Sequence, residues 1–371
     1  MLPKKPSTCS ESTEKSEKPF IIPIFIPHAG CAHRCAFCNQ TTITGTTAPI
    51  PSDTDTRSRI EEFLSYKTAD RGNVEIAFYG GNFLGLPPHD ILRLLSEAQR
   101  YIDDGNASTI RFSTRPDTIT RQRLDLLKNF SVSVIEIGAQ SMSDEVLKLS
   151  LRGHTAEDTR KAAELVKQSG YRLGLQMMIG LPGDNQERIM DSGAQIARLG
   201  PEFVRIYPTV VIKGSLLAKW YAQGTYQPLP LKDAISCVRH LYLLFRDHHI
   251  TVIRMGLQAS ADLEPEAGIV AGPYHPAFGH LVMSEIFLDK TIAIMVSANI
   301  TGKEAAVRVH PNSISQFRGE KNGNIDILRN MFGYAAIRII PDASLCREDV
   351  TIQTEGRISD GKGNSYDQCQ C

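Results

Sequence analysis

Cys31-Ala-His-Arg-Cys35-Ala-Phe-Cys38 places three thiols within eight residues in CX3CX2C spacing, with an aromatic residue just before the third. Iron-sulfur clusters are held by cysteine thiolates, and a closed 4Fe-4S centre uses four of them. Three would leave one iron open to a small chelating molecule. S-adenosyl-L-methionine (SAM), with an amino group beside a carboxylate, is a chelator of that kind. Electron transfer into its sulfonium cleaves it to a 5'-deoxyadenosyl radical, so that the cofactor carries the hard chemistry. Two other readings use the same residues. Zinc accepts a Cys3His set, with His28 or His33 as the fourth ligand, yet no second CXXC or HX3H pair lies nearby. A redox dithiol would leave one of the three cysteines over.

Outward from the cysteines, short apolar, β-branched runs alternate with amphipathic ones. The runs Phe20 to Ile26, Val74 to Tyr79, Thr109 to Ser113, Val132 to Ile137, Leu173 to Ile179 and Phe203 to Tyr207 are too short for helices and are bounded by Gly, Pro or Asn. They predict six strands. Between them, Ile91, Leu94, Leu95, Ala98 and Ile102 share one helical face behind Asp90 as the cap. Thr155 with Asp158 forms an acidic capping box whose helix Gly170 ends, and a further helix runs from about 185 to 199 before Gly200-Pro201. Alternating β and α elements demand a parallel sheet with right-handed crossovers. The fold class predicted is α/β: a partial (β/α)6 TIM-like barrel over residues 20–258, with a small C-terminal α+β domain over 259–371 as a substrate or accessory domain. In such barrels chemistry sits on the loops after the C-terminal ends of the strands. The cysteine run begins on the loop after the first of them.

Composition bounds the class. A chain of 371 residues, 42% hydrophobic, is long enough for one large core and a smaller one. Equal numbers of cations and acids, 41 each, exclude a global field for polyanions while allowing a local basic patch. No apolar stretch reaches the length of a membrane span, and the N-terminus lacks the apolar segment of a signal peptide. With three of eight cysteines clustered, this predicts a cytoplasmic protein in a reducing compartment. Residues 1–19, rich in Ser, Lys, Glu and Pro, read as a disordered tail.

Beyond the sixth strand, a helix from about 231 to 248 precedes a further strand from Ile250 to Met255. The C-terminal region then reads as a helix from about 280 to 288, strands near 292–297 and 304–309, a short helix near 325–331 and a strand over 335–340. Tyr274 and His275 fall in a Gly/Pro loop and are candidates for a substrate mouth. The run Arg308 to Lys321 mixes cations, hydroxyls and one aromatic residue, a composition compatible with a phosphate backbone, although a solvated loop is the default reading.

The second strand ends Phe78-Tyr79-Gly80-Gly81-Asn82, and two glycines there permit close approach to the main chain. With the cysteine run, this motif resembles the radical SAM superfamily. The likeness continues through Arg111-Phe-Ser-Thr-Arg-Pro-Asp117, Glu136-Ile-Gly-Ala-Gln-Ser141, Arg152-Gly-His154, Met177-Met-Ile-Gly-Leu-Pro-Gly183 and Arg205-Ile-Tyr-Pro. In that order these are similar to the radical SAM core of the Elongator catalytic subunit, without its acetyltransferase domain, and more distantly to oxygen-independent coproporphyrinogen III oxidase. The match covers roughly residues 20 to 230. This chain departs from Elongator in its compact cysteine spacing.

The resemblance implies a 4Fe-4S cluster on Cys31, Cys35 and Cys38, and SAM as cofactor. It assigns Gly80, Gly81 and Asn82 to the amino group of the methionine moiety, with Asn82 standing where relatives often carry an acidic or hydroxyl residue. Gln140 and Gln176 fall to the ribose, as does Ser113 in a position often held by a carboxylate. Arg152 falls to the methionine carboxylate, which a guanidinium grips in a fork. Met177 and Met178 are candidates for packing on adenine and Arg115 for the substrate. An electron donor such as flavodoxin or ferredoxin is implied. A tRNA base is the leading substrate, a tetrapyrrole or other small metabolite the second, and a zinc-bearing RNA-binding module the non-enzymatic alternative.

Overall fold

Glycine and proline punctuation divides the first part of the chain into β/α repeats. In the computed structural model, which describes residues 19–39, 50–66, 72–257, 268–297, 304–354 and 357–360, these are β1 (Phe20–Phe25), α1 (Asp53–Tyr66), β2 (Val74–Tyr79), α2 (Pro88–Asp103), β3 (Thr109–Thr114), α3 (Arg121–Asp125), β4 (Val132–Gln140), α4 (Asp144–Leu149), α5 (Ala156–Gln168), β5 (Arg172–Ile179), α6 (Gln186–Arg198), β6 (Phe203–Pro208), β7 (Val211–Ile212), α7 (Leu216–Ala222), α8 (Leu231–Asp247), β8 (Thr251–Met255) and β9 (Ile269–Ala271). Strands β1 to β6 and then β8 pair in chain order, every pair parallel. The sheet ends at β1 and β8, so it is an open, partial TIM-like barrel with one strand more than six.

Alternation along each strand builds two surfaces. In β4, Ile135, Ile137 and Ala139 are fully buried, while Glu136, Gly138 and Gln140 turn to the other face and line a cavity. Sequence signals set the helix starts. Thr155 accepts from the Asp158 N–H and the Asp158 carboxylate accepts from the Thr155 N–H, the predicted capping box. Helix α2 starts before the Asp90 cap expected for it: Pro87 is its cap and Pro88 its first residue. Proline's preset φ suits a first helical position, and Asp90 falls inside the first turn.

The first compact unit runs to Pro276 and the second begins at Ala277, later than the expected boundary at 258. The reason lies in β9, which returns to pair antiparallel with β7. Ile269 joins Val210 and Ile212 in a small apolar cluster against which Tyr274 packs, so Tyr274 is a packing residue there.

The second unit comprises α9 (Phe278–Ser297), β10 (Glu304–Val309), α10 (Ile314–Arg318), α11 (Gly323–Phe332), β11 (Ala336–Pro341), β12 (Val350–Thr354) and β13 (Arg357–Asp360). Its sheet order is β11-β10-β12-β13, with β10 parallel to β11 and antiparallel to β12. The strand expected at 292–297 is instead the end of α9. β-Branched residues there imitate a strand, but no Gly or Pro separates them from the helix, and Phe287, Thr291, Ile294 and Met295 are buried at helical spacing. The tail at 1–18 and Cys9, Cys369 and Cys371 lie outside the described residues.

Candidate active site

A cavity of about 730 Å³ within the first unit is lined by Cys31, Cys35 and Cys38 together with Gly80, Gly81, Ser113, Gln140, Arg152 and Gln176. Those residues come from the β1, β2, β3, β4 and β5 segments and from the stretch after α4, so the parallel sheet is what assembles them. Another cavity, of about 520 Å³ beside Gly180–Asp184, Trp220 and Tyr226, holds none of them.

The cysteine loop is held from several sides. Ile26 N–H donates to the Tyr79 carbonyl, Ala36 N–H to the Ser150 carbonyl, and Leu217 N–H to the Ala36 carbonyl. Two glycines allow its closest approaches. A Cβ on Gly30 would lie 2.2 Å from the Asn82 carbonyl oxygen, and one on Gly81 would lie 2.3 Å from that of Ile26. Gly81 therefore makes room first for the cysteine loop.

Asn82 is a correction to the expected ligand set. It is fully buried and does not line the cavity. Its Nδ2 donates to the Gly30 carbonyl (2.8 Å), and its Oδ1 accepts from Thr114 Oγ1 (2.7 Å), Arg115 N–H (2.9 Å) and Thr118 Oγ1 (2.8 Å). With its amide committed to the cysteine loop and to the segment at the end of β3, it fixes both to its own loop after β2. The methionine pair also divides. Met177 is fully buried in the core and Met178 lines the cavity, as strand alternation requires.

Arg152 is 6% exposed, so it is no surface arginine. Its Nη1 donates to Cys35 Sγ at 3.1 Å and its Nη2 to the Gly138 carbonyl at 2.7 Å, while its buried Nε has no partner among the described residues. Arg115 holds Asp117 through two nitrogens (2.9 and 3.1 Å), donates to the Arg152 carbonyl and approaches Cys35 Sγ at 3.9 Å. It thus positions Arg152 and the cysteine loop. Burial, and then Cys35, push the Cys31 thiol up. Gln176 Nε2 donates to Gln140 Oε1 at 3.2 Å, and Gln140 itself sits at φ 66 beside a register shift in β4. A non-glycine residue held there is backbone strain at a cavity wall.

Below these residues lies an ionic floor that composition gave no reason to expect. Arg111 bonds Glu75 (2.7 Å) and Glu136 (2.8 Å), and Glu136 also accepts from Arg205 (2.7 Å) and from the Tyr79 hydroxyl (3.1 Å). Arg254 is the register partner of Arg205 on β8 and lines the cavity with no hydrogen bond or ion pair to a described residue. The signal for this set was present: β2, β3, β4, β6 and β8 each carry a charge in a largely apolar strand.

His154, 6% exposed, supports β4 from outside the cavity lining. Its Nε2 lies 3.3 Å from the Ala139 carbonyl, and its Nδ1 is buried without a partner among the described residues. Burial first, then Arg152 and Arg115, lower its pKa from 6.5 to about 3. Between those values the unfolded chain binds a proton that the folded chain refuses, so stability falls as pH falls. Urea unfolding between about pH 5 and 6.5 should show a slope from this residue of up to about 1.4 kcal/mol per pH unit, absent in His154→Gln. An equal slope in the variant would remove His154 as its source.

Residues 25–194 match the family model of the radical SAM superfamily and residues 201–287 that of the Radical_SAM C-terminal domain, together well over half of the chain. The chain belongs to the radical SAM superfamily and is an enzyme. The cofactors of that superfamily, a 4Fe-4S cluster and SAM, are its cofactors.

Among curated relatives it is similar to the tRNA uridine(34) acetyltransferase of Methanocaldococcus infernus, 28% identical over 50% of this chain and 38% of that protein. It is also similar to Elongator complex protein 3 of Danio rerio, 27% identical over 55% of this chain and 42% of that protein. The matched stretch is thus about two fifths of either relative. The solved structure of Methanocaldococcus infernus Elp3 shares the fold with a TM-score of 0.55 at 21% identity, over 77% of this chain and 65% of that one. Among the described residues no helix is long and apolar enough to cross a membrane.

Proposed function

We propose that this chain is a tRNA-modifying radical SAM enzyme whose cluster is ligated by Cys31, Cys35 and Cys38, with SAM held in the same cavity. The observation that carries the reading is that one cavity gathers all three thiols, the Gly80-Gly81 main chain, Arg152 and the Gln140–Gln176 pair. Three thiols in one cavity would leave one iron of a 4Fe-4S cluster without a protein ligand, the position at which SAM would chelate.

When bound, the cluster and SAM supply a 5'-deoxyadenosyl radical on receipt of an electron, from a donor such as flavodoxin or ferredoxin. The chain's residues bind and orient. Arg152, anchored at Gly138 and Cys35, presents a guanidinium to the methionine carboxylate. Gly80 and Gly81 offer main chain to the amino group, while Gln140, Gln176 and Ser113 face the ribose. The tRNA assignment is supported by the likeness to the tRNA uridine(34) acetyltransferase of Methanocaldococcus infernus. The unpaired Arg254 favours a substrate with an anionic group, which a carboxylated small molecule such as a tetrapyrrole satisfies as well, so that remains the second reading.

Anaerobic equilibrium dialysis tests the site. Arg152→Ala should weaken SAM binding by about 1.5 to 3 kcal/mol, the worth of a charge-assisted contact, with iron content retained. Unchanged affinity would take the carboxylate away from Arg152. Release of 5'-deoxyadenosine from the reduced enzyme should rise on adding unmodified tRNA; a rise with small carboxylates alone would favour the second reading.

A further inference from the structure

Cys35 is set apart from the other two cavity thiols by its surroundings. It is buried where Cys31 and Cys38 are partly exposed, and two guanidiniums reach its sulfur, Arg152 Nη1 at 3.1 Å and Arg115 Nη1 at 3.9 Å. Both arginines are themselves buried. Neither is free to turn away. Arg152 is anchored on the Gly138 carbonyl at 2.7 Å, while Arg115 is held by Asp117 through two nitrogens and by its own N–H on Asn82 Oδ1.

The charges around this sulfur do not balance among protein groups. Arg115 pairs with Asp117, but Arg152 takes part in no ion pair among the described residues. A buried cation without an anion is strongly disfavoured. A neutral thiol does not answer it, because protonated sulfur is only a weak acceptor. A thiolate that ligates an iron-sulfur cluster does, since it stays negative and accepts a charge-assisted bond. A guanidinium carries five N–H donors, and in Arg152 one is engaged by Cys35 and one by Gly138. Its Nε, buried without a partner among the described residues, is among those left for the carboxylate of SAM. One residue can therefore hold the sulfur and the carboxylate together.

We propose that Arg152, with Arg115 beside it, sets the reduction potential of the cluster by donating to the Cys35 sulfur. The inference rests on the cluster reading and goes beyond it, giving Arg152 a role that precedes SAM binding. Reduction adds one electron and breaks no bond, so the reduced form carries one more negative charge. Hydrogen bonds to the sulfurs, charge and solvent exposure set such potentials. A buried cation on a ligand sulfur stabilises the more negative form, raises the potential and eases acceptance of the electron from a flavodoxin- or ferredoxin-type donor.

The test is a redox titration of the anaerobically prepared full chain with dithionite, read by electron paramagnetic resonance of the reduced cluster. SAM is left out, which separates this role from carboxylate binding. Arg152→Met keeps much of the volume and removes both charge and donor. It should lower the equilibrium constant for reduction at least tenfold, a fall in midpoint of about 59 mV for a one-electron couple. Arg115→Met should shift the midpoint the same way and by less, because its contact is longer. Arg254→Met removes a cation that lines the same cavity without bonding Cys35, and should leave the midpoint in place. If Arg152→Met loses its iron, the wild type still decides the matter. With arginine isotopically labelled at the guanidinium nitrogens, spin-echo modulation of its reduced cluster should show coupling to the label.

An unmoved midpoint in Arg152→Met with full iron content, an equal fall in Arg254→Met, or a wild-type cluster without that coupling would overturn the proposal and leave the cluster reading standing. Wild-type protein that holds no iron would overturn both.

Discussion

Replacing any one of Cys31, Cys35 or Cys38 by alanine is expected to abolish iron binding in protein prepared without oxygen, where the wild type should be brown and hold about four irons with matching sulfide. Each thiol has a cavity-lining position and none is duplicated there, since Cys237, the other cysteine described as free, lies on α8 and outside the lining. The main loss should be the metal, with Cys35→Ala also removing the sulfur that accepts from Arg152 Nη1. A buried cysteine packs as a small hydrophobe, and the loop is fixed by main-chain bonds at Ile26, Ala36 and Leu217 and by the Asn82 amide, none of which passes through sulfur. The variants should therefore keep the circular dichroism of the wild type while losing colour and 5'-deoxyadenosine release together. Colourless wild-type protein with stoichiometric zinc would overturn the cluster reading. Iron retained in one variant alone would remove that cysteine from the ligand set.

The parts of this molecule legible in the sequence are those whose signal is local. Six strands and the capped helices α5 and α6 follow from short-range periodicity and Ser/Thr/Asn chemistry, and the cysteine spacing lies within eight residues. Asn82 was not legible because its position after β2 suggests a side chain facing a ligand. The cysteine loop and the segment at the end of β3, which meet it only in the fold, take up its amide instead. Arg152 was assigned to the site through the resemblance alone, and its anchoring by the Gly138 carbonyl and Cys35 Sγ rests on contacts between distant segments that no local pattern announces. The unit boundary depended on β9 returning to β7, a pairing of two very short strands that no periodicity announces. The late part of α9 shows the converse, where local β-branched content pointed one way and burial at helical spacing won.

The ionic floor is the other place where convergence decides, and there the expected effect is on stability. Arg111 is 5% exposed, and Glu75 and Glu136 are 2% and 3% exposed. Arg111→Met should cost about 3 to 5 kcal/mol, because removing one partner leaves an uncompensated buried charge. The two carboxylates fare differently. Glu136 keeps Arg205 at 2.7 Å, whereas Glu75 loses its one ion pair among the described residues, the 2.7 Å contact to Arg111. Most of the loss should therefore trace to Glu75. Methionine fills much of the arginine's volume, so a cavity adds little to the cost. Adding Glu75→Leu to Arg111→Met removes the stranded charge and should recover most of the stability, since replacing a buried pair by apolar residues of similar volume is often near neutral. Urea unfolding of the two variants and the wild type measures both steps. A loss under about 1 kcal/mol for Arg111→Met would mean that water reaches Glu75 and that the floor is not sealed; no recovery in the double variant would place the cost in Glu136 and its hold on Arg205 and Tyr79.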